Sequence, residues 1–235
     1  MPPPLAKTEI HVWEFPTIVS ESALASYAEL LSSDERDRAS RFHFGGDTRR
    51  FTVARAGLRT ILSAYTKTPA AELRFHLSAH DKPRLEPESD IRFNISHSGE
   101  MALLGIALSR EVGVDIEAMR LNVEIESLAE RFFSPHERET IRALPEQEKI
   151  TAFFRCWTCK EAFLKAQGVG LSRSLNSFDV EANPALPARL AGTRPDARET
   201  EHWSLHTIET ADGYAAAVSA EGSITEIKRM LCQQA

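Results

Sequence analysis

Apolar and polar residues follow two rhythms along this chain, and the frequent change from one to the other predicts an α+β fold. Apolar spacing of three and four predicts helices over Ser22 to Leu31, from Ser33 towards Phe42, over Thr48 to Tyr65, and from Ile150 to a stop at Gly168. Alternation of period two predicts strands over Leu73 to Leu77, Ile91 to Ser96 and Val112 to Glu117, Ile10 to Phe15 reads as a first strand, and the apolar run Met101 to Leu108 follows Ile91 to Ser96 at hairpin distance as another. Further strands are expected over Ser177 to Glu181, His202 to Glu209 and Tyr214 to Ala220. Between these lie breaks at Phe44-Gly45-Gly46-Asp47, a loop at Asp81-Lys82-Pro83-Arg84 and a polar turn at Ser96-His97-Ser98-Gly99. The Pro/Ala/Arg-rich stretch from Asn183 to Thr200 reads as a mobile loop. Ser32 to Glu35 and Ser134 to Glu137 match the capping box, in which a serine and a glutamate three residues on satisfy each other's backbone N–H groups.

The order helix, strand, hairpin occurs twice. Gly99-Glu100-Met101-Ala102-Leu103-Leu104 in the first hairpin matches Gly213-Tyr214-Ala215-Ala216-Ala217-Val218 in the second, both small and apolar after glycine. This predicts two similar halves, residues 1–118 and 119–235, each a small antiparallel sheet packed with helices. The interface between such halves is a common place for a ligand.

Composition narrows the partners. A net charge of −6 over 235 residues argues against nucleic acid, which needs a cationic surface. The longest apolar run, Met101 to Leu108, is too short to span a bilayer, and the first residues carry no apolar leader, so a cytoplasmic protein without a membrane partner is expected. Three cysteines fit a reducing compartment. Cys156 and Cys159 form a C-x-x-C, but they fall inside a helical pattern with no second pair to complete a zinc site, so packing explains them.

The candidate chemistry is carried by acids on buried elements. In the Ile150 helix Glu161 stands in the apolar stripe, four residues after Trp157 and three before Leu164. A carboxylate there needs a cation or dense hydrogen bonding, and Lys165, one turn on, offers a plain intrahelical pair. On Val112 to Glu117 the alternation puts Asp115 and Glu117 on one face, roughly 7 Å apart, with Val114 and Ile116 behind them. Their mutual repulsion would be relieved by a hard cation such as Mg²⁺, with Glu161 as third ligand; an exposed polar strand face is the alternative. His97, between Ser96 and Ser98, belongs to a cluster of short donors able to hold an anion. Arg36, Arg38 and Arg41 ride on one helix as a solvated face, and Arg49, Arg50, Arg55 and Arg59 ride on the next.

Four segments in order, FNISHSG (Phe93 to Gly99), GVDIE (Gly113 to Glu117), RFFSPHE (Arg131 to Glu137) and WTCKEAFLKAQGVGL (Trp157 to Leu171), resemble the 4′-phosphopantetheinyl transferases of the surfactin-synthetase-activating type. LSSDERDRASRF and DKPRL extend the resemblance to the N-terminal half. The resemblance implies a monomer of two similar α+β halves with coenzyme A and Mg²⁺ held between them. It implies transfer of the phosphopantetheine arm to a serine of an apo acyl or peptidyl carrier protein. By position, Asp115, Glu117 and Glu161 resemble the metal-binding and catalytic carboxylates, with Glu161 or a metal-bound water as base. Lys82, Ser96, His97, Lys160 and Lys165 resemble coenzyme A contacts, and Arg38 and Arg50 a phosphate clamp. Two positions depart from the family pattern: Glu35 replaces a basic residue, and Asp81 replaces a glycine. Glu137 matches a family glutamate near the metal, and capping explains it equally well.

Two other classes compete. A non-catalytic module that binds coenzyme A or a carrier protein would have no need of three facing carboxylates. A nucleotide-dependent phosphotransferase would need a P-loop or a full glycine fingerprint, and the chain has neither.

Overall fold

The computed structural model describes residues 2–78, 82–120 and 122–231. Asp81 and Cys232 lie outside the described residues. The elements are β1 (Glu9–Pro16), α1 (Glu21–Leu30), α2 (Ser33–Ser40), α3 (Gly45–Thr66), β2 (Arg74–Leu77), β3 (Pro83–Glu86), β4 (Ile91–Ser98) and β5 (Met101–Leu108). They continue with β6 (Val112–Ala118), α4 (Ile125–Phe132), α5 (Pro135–Arg142), α6 (Glu146–Gln167), β7 (Phe178–Val180), β8 (Leu190–Thr193), β9 (Trp203–Ile208), β10 (Tyr214–Glu221) and β11 (Glu226–Leu231).

Two sheets stack face to face between two long helices. In the first, β5 runs antiparallel between β1 and β4; in the second, β10 runs antiparallel between β6 and β9. Alternation decides the layers. Ile10, Val12, Leu103 and Ala107 meet Val112, Val114, Ile116 and Val218 between the sheets. Phe15, Leu104 and Ile106 point the other way, onto Ala54, Leu58, Ile61 and Leu62 of α3. On the far side α6 packs Phe153, Phe163 and Leu164 with α4, α5 and the second sheet.

The halves interlock. The strand β6, placed in the first half by a boundary at 118, hydrogen-bonds to β10 of the second sheet. The last strand, β11, was not expected and returns to pair in parallel with β1 of the first sheet. The repeated order therefore runs from β1 to β5 and again from β6 to β10.

Other differences have local reasons. The helix α3 starts at Gly45, where the first-turn N–H groups have no intrahelical partner and glycine costs little. Lys82 to Arg84, read as loop, leads straight into β3, which pairs with β2. Pairing of β4 with β5 continues to Ser98 opposite Met101, so the polar turn shrinks to Gly99 and Glu100. The stretch Asn183 to Thr200 contains β8, paired with β7. Cys156 and Cys159 are free and fully buried, and burial pushes the Cys159 thiol up to about 12, as packing residues should behave. Among the described residues, no helix is long and apolar enough to cross a membrane.

Candidate active site

The sheets meet at the seam between β4 and β6. Because β6 uses its other edge for β10, its N–H groups at the seam need partners, and side chains of β4 supply them. Val114 N–H donates to Asn94 Oδ1 at 2.9 Å, and Ala118 N–H donates to Ser98 Oγ at 3.1 Å. Asn94, Ser96 and Ser98 alternate on one face of β4, so all three reach the same strand.

Two of these donors also hold carboxylates. Ser96 Oγ donates to Asp115 Oδ1 at 2.9 Å, and Ser98 Oγ donates to Glu117 Oε2 at 2.7 Å. From α6, Lys165 Nζ donates to Asp115 Oδ1 at 2.6 Å and to Ser96 Oγ at 2.9 Å. The helix comes this close because residue 113 is glycine: a Cβ there would lie 2.2 Å from both Ala162 O and Ala166 N. Asp115 is 2 % exposed, and its Oδ2 is buried without a hydrogen-bond partner.

The three carboxyls influence one another. Burial pushes Asp115 above its ordinary range, against the pull of Lys165 and Ser96. Burial also raises Glu117, with Ser98 opposing and the Asp115 charge adding. Glu161 is raised by burial, then by Asp115 and Glu117, while Lys165 opposes. His97 stands exposed near the end of β4; desolvation, then the charges of Lys165 and Arg50, press its imidazolium below the usual range.

A hard divalent cation suits this donor set. Asp115 Oδ2, buried without a partner, and the three desolvated carboxyls are oxygen donors of the kind such an ion takes. Among the described residues no group of three or more His, Cys, Asp or Glu side chains is placed to hold a metal ion, and Lys165 is the cation at Asp115.

Of the residues singled out by sequence, Ser96, Asp115, Glu117, Glu161 and Lys165 gather at this seam, while His97 lies on the opposite face of β4, within reach of the Lys165 and Arg50 charges. Lys160 does not. Its side chain is 0 % exposed and pairs at 2.7 Å with Glu137, also 0 % exposed, while donating to Leu175 O and Phe178 O. The turn between Lys160 and Glu161 sends the lysine into the core and leaves the glutamate at the seam. Glu137 in turn caps α5 and accepts Val180 N–H at 2.8 Å. The Lys82 ammonium is likewise committed, to Glu111 at 2.8 Å and to Val112 O and Ala166 O at 3.0 Å each. It ties β6 to the last turn of α6. Arg38 is exposed on α2, its guanidinium 5.5 Å from the Phe51 ring centre, and Arg50 pairs with Asp47 at 2.6 Å.

Sequence reasoning passed over Asn94 and Ser98 as site residues. Extending the alternation of Ile91 to Ser96 by two positions would have placed Ser98 on the face of Ser96.

Comparison with known proteins gives the family. Residues 111–219 match the 4'-phosphopantetheinyl transferase superfamily, and residues 18–108 match the family described as 4'-phosphopantetheinyl transferase, N-terminal. The two matches divide the chain between β5 and β6, where the repeated order of elements divides it. The chain is 41% identical to the 4'-phosphopantetheinyl transferase HetI of Nostoc sp., over 93% of this chain and 90% of the relative. It is 29% identical to the 4'-phosphopantetheinyl transferase Sfp of Bacillus subtilis, over 86% and 87%. With identity this high over nearly its whole length, the chain belongs to the 4'-phosphopantetheinyl transferase superfamily.

Proposed function

We propose that this transferase moves the 4′-phosphopantetheine arm of coenzyme A to a serine of an apo acyl or peptidyl carrier protein and releases adenosine 3′,5′-bisphosphate. One observation carries the reading of the site: Asp115, with an orphaned buried oxygen, faces Glu117 and Glu161 at the seam of a chain of this family. Asp115, Glu117 and Glu161 would hold Mg²⁺, which when bound neutralises charge on the pyrophosphate.

The chain's own residues supply the rest. Lys165, Ser96, His97 and Arg50 offer donors and positive charge to phosphate oxygens, with Arg38 further out on α2. Transfer breaks the bond between the phosphopantetheine phosphorus and the pyrophosphate bridging oxygen and forms one from the serine oxygen to that phosphorus. The serine proton passes to Glu161, the carboxylate that α6 brings beside Asp115 and Glu117. Both walls of the site come from one chain, which supports a monomer, and the free thiols of Cys156 and Cys159 support a reducing, cytoplasmic setting.

Intact mass of an apo carrier protein after incubation with this protein, coenzyme A and Mg²⁺ tests the reaction. A gain of one phosphopantetheine that disappears with EDTA is expected. Glu161→Gln should lower turnover about 10²- to 10⁴-fold; near-normal turnover would remove Glu161 as the base.

A further inference from the structure

We infer that Ser98 is a positioning residue that fixes the rotamer of Glu117 for the cation, an inference that rests on the metal reading above. Its hydroxyl is saturated in a directional way. It accepts the backbone N–H of Ala118 at 3.1 Å, which orients its own proton towards Glu117 Oε2 at 2.7 Å. One carboxylate oxygen is thereby held, and the other is left for a ligand. Ser96 does the same for Asp115, holding Oδ1 and leaving Oδ2 without a partner. The two serines are thus equivalent supports, two residues apart on β4, for two acids two residues apart on β6.

The support under Ser98 is itself built. Gly99 takes φ +56, and a Cβ there would meet Tyr214 Oη at 2.7 Å and Ala118 Cβ at 3.2 Å. Tyr214 Oη accepts the N–H of Glu100 at 3.0 Å, so β10 pins the hairpin that carries Ser98. A serine at a loose hairpin tip could not hold a carboxylate in one rotamer. This one is clasped between two strands of the other sheet.

Partners that orient metal ligands usually matter by about 10- to 100-fold in metal affinity. The test is binding of Mn²⁺, read from the loss of its free electron paramagnetic resonance signal, to the full chain with coenzyme A present. Ser98→Ala should weaken Mn²⁺ about tenfold or more, lower the melting temperature modestly because Ala118 N–H loses its partner, and leave the coenzyme A affinity measured without metal unchanged. Ser98→Thr, which keeps a hydroxyl, should regain most of the Mn²⁺ affinity whether or not the alanine variant is less stable. Parent-like Mn²⁺ binding by Ser98→Ala, alongside weak binding by Glu117→Gln, would overturn the role of Ser98 alone. Parent-like binding by Glu117→Gln would overturn the ligand assignment and the inference with it.

Discussion

Glu35 and Glu137 occupy the same place in the two halves and make the same clasp. Each is the glutamate of a capping box on a short helix, α2 or α5. Each meets a buried cation fifteenth in the following long helix, Arg59 counted from Gly45 and Lys160 counted from Glu146. Each cation then donates to two carbonyls at the entry to the next strand, Ala70 and Leu73 in one half, Leu175 and Phe178 in the other. What differs lies beside the clasp. Where β1 turns His11, Trp13 and Phe15 towards α3, β6 turns Gly113, Asp115 and Glu117 towards α6. The residue after the clasp cation is Thr60 in one helix and Glu161 in the other. A device that appears in both halves, with the acids in only one, belongs to the fold. In its partners Lys160 therefore corresponds to Arg59. The same comparison explains Glu35: its charge is answered inside the protein by Arg55 and Arg59, so it brings no negative charge to a phosphate site.

The comparison can be broken most forcefully at the clasp cations. Lys160→Met leaves Glu137 buried without its cation and should cost about 3–5 kcal/mol, read from denaturant unfolding. Arg59→Met should cost less, because Arg55 remains at Glu35. An unchanged stability in Lys160→Met together with a raised KM for coenzyme A would return the lysine to the ligand and sink the equivalence.

A smaller loss should follow at the strand facing each helix. In Gly113→Ala the new methyl cannot coexist with Ala162 O and Ala166 N, so α6 must move. We expect a stability loss of roughly 1–3 kcal/mol and a larger proportional loss of turnover, since α6 carries Glu161 and Lys165. Stability and turnover falling in step would mean that the close approach serves packing only.

The smallest effect is one of pH. Burial opposes ionisation of Glu35 more than any other single influence, but Arg59 and Arg55 together outweigh it and hold the carboxyl below its ordinary value. A lowered folded-state value stabilises the protein above the unfolded-state pKa, and that stability is lost as pH falls through the folded-state value. Between about pH 5 and about pH 3, the melting temperature of the parent should therefore fall more steeply than that of Glu35→Gln. Parallel slopes would show that the clasp contributes nothing through its charge.

Much of this was legible in the chain. Both capping boxes, both long helices and most strands are local patterns, and the alternation of Val112 to Glu117 put Asp115 and Glu117 on one face. Motif spacing pointed to the family and to Ser96, Asp115, Glu117, Glu161 and Lys165, which lie together at the seam. Lys160 and Lys82, which the resemblance also pointed to, have buried partners in Glu137 and Glu111, and a motif records which residues occur together and not which way they face.

The sequence by itself determined element type, the alternation of faces and the identity of the acids, since these depend on dihedral preference and spacing within a few residues. Only the tertiary structure decided which sheet each strand joins, so that β6 crosses to β10 and β11 returns to β1. Only it could show that Ser96 and Ser98 hold the two acids, that Gly113 admits α6, and that Lys160 points inwards. Backbone hydrogen-bond satisfaction and close packing between segments far apart in the chain set those outcomes, and no local pattern encodes them.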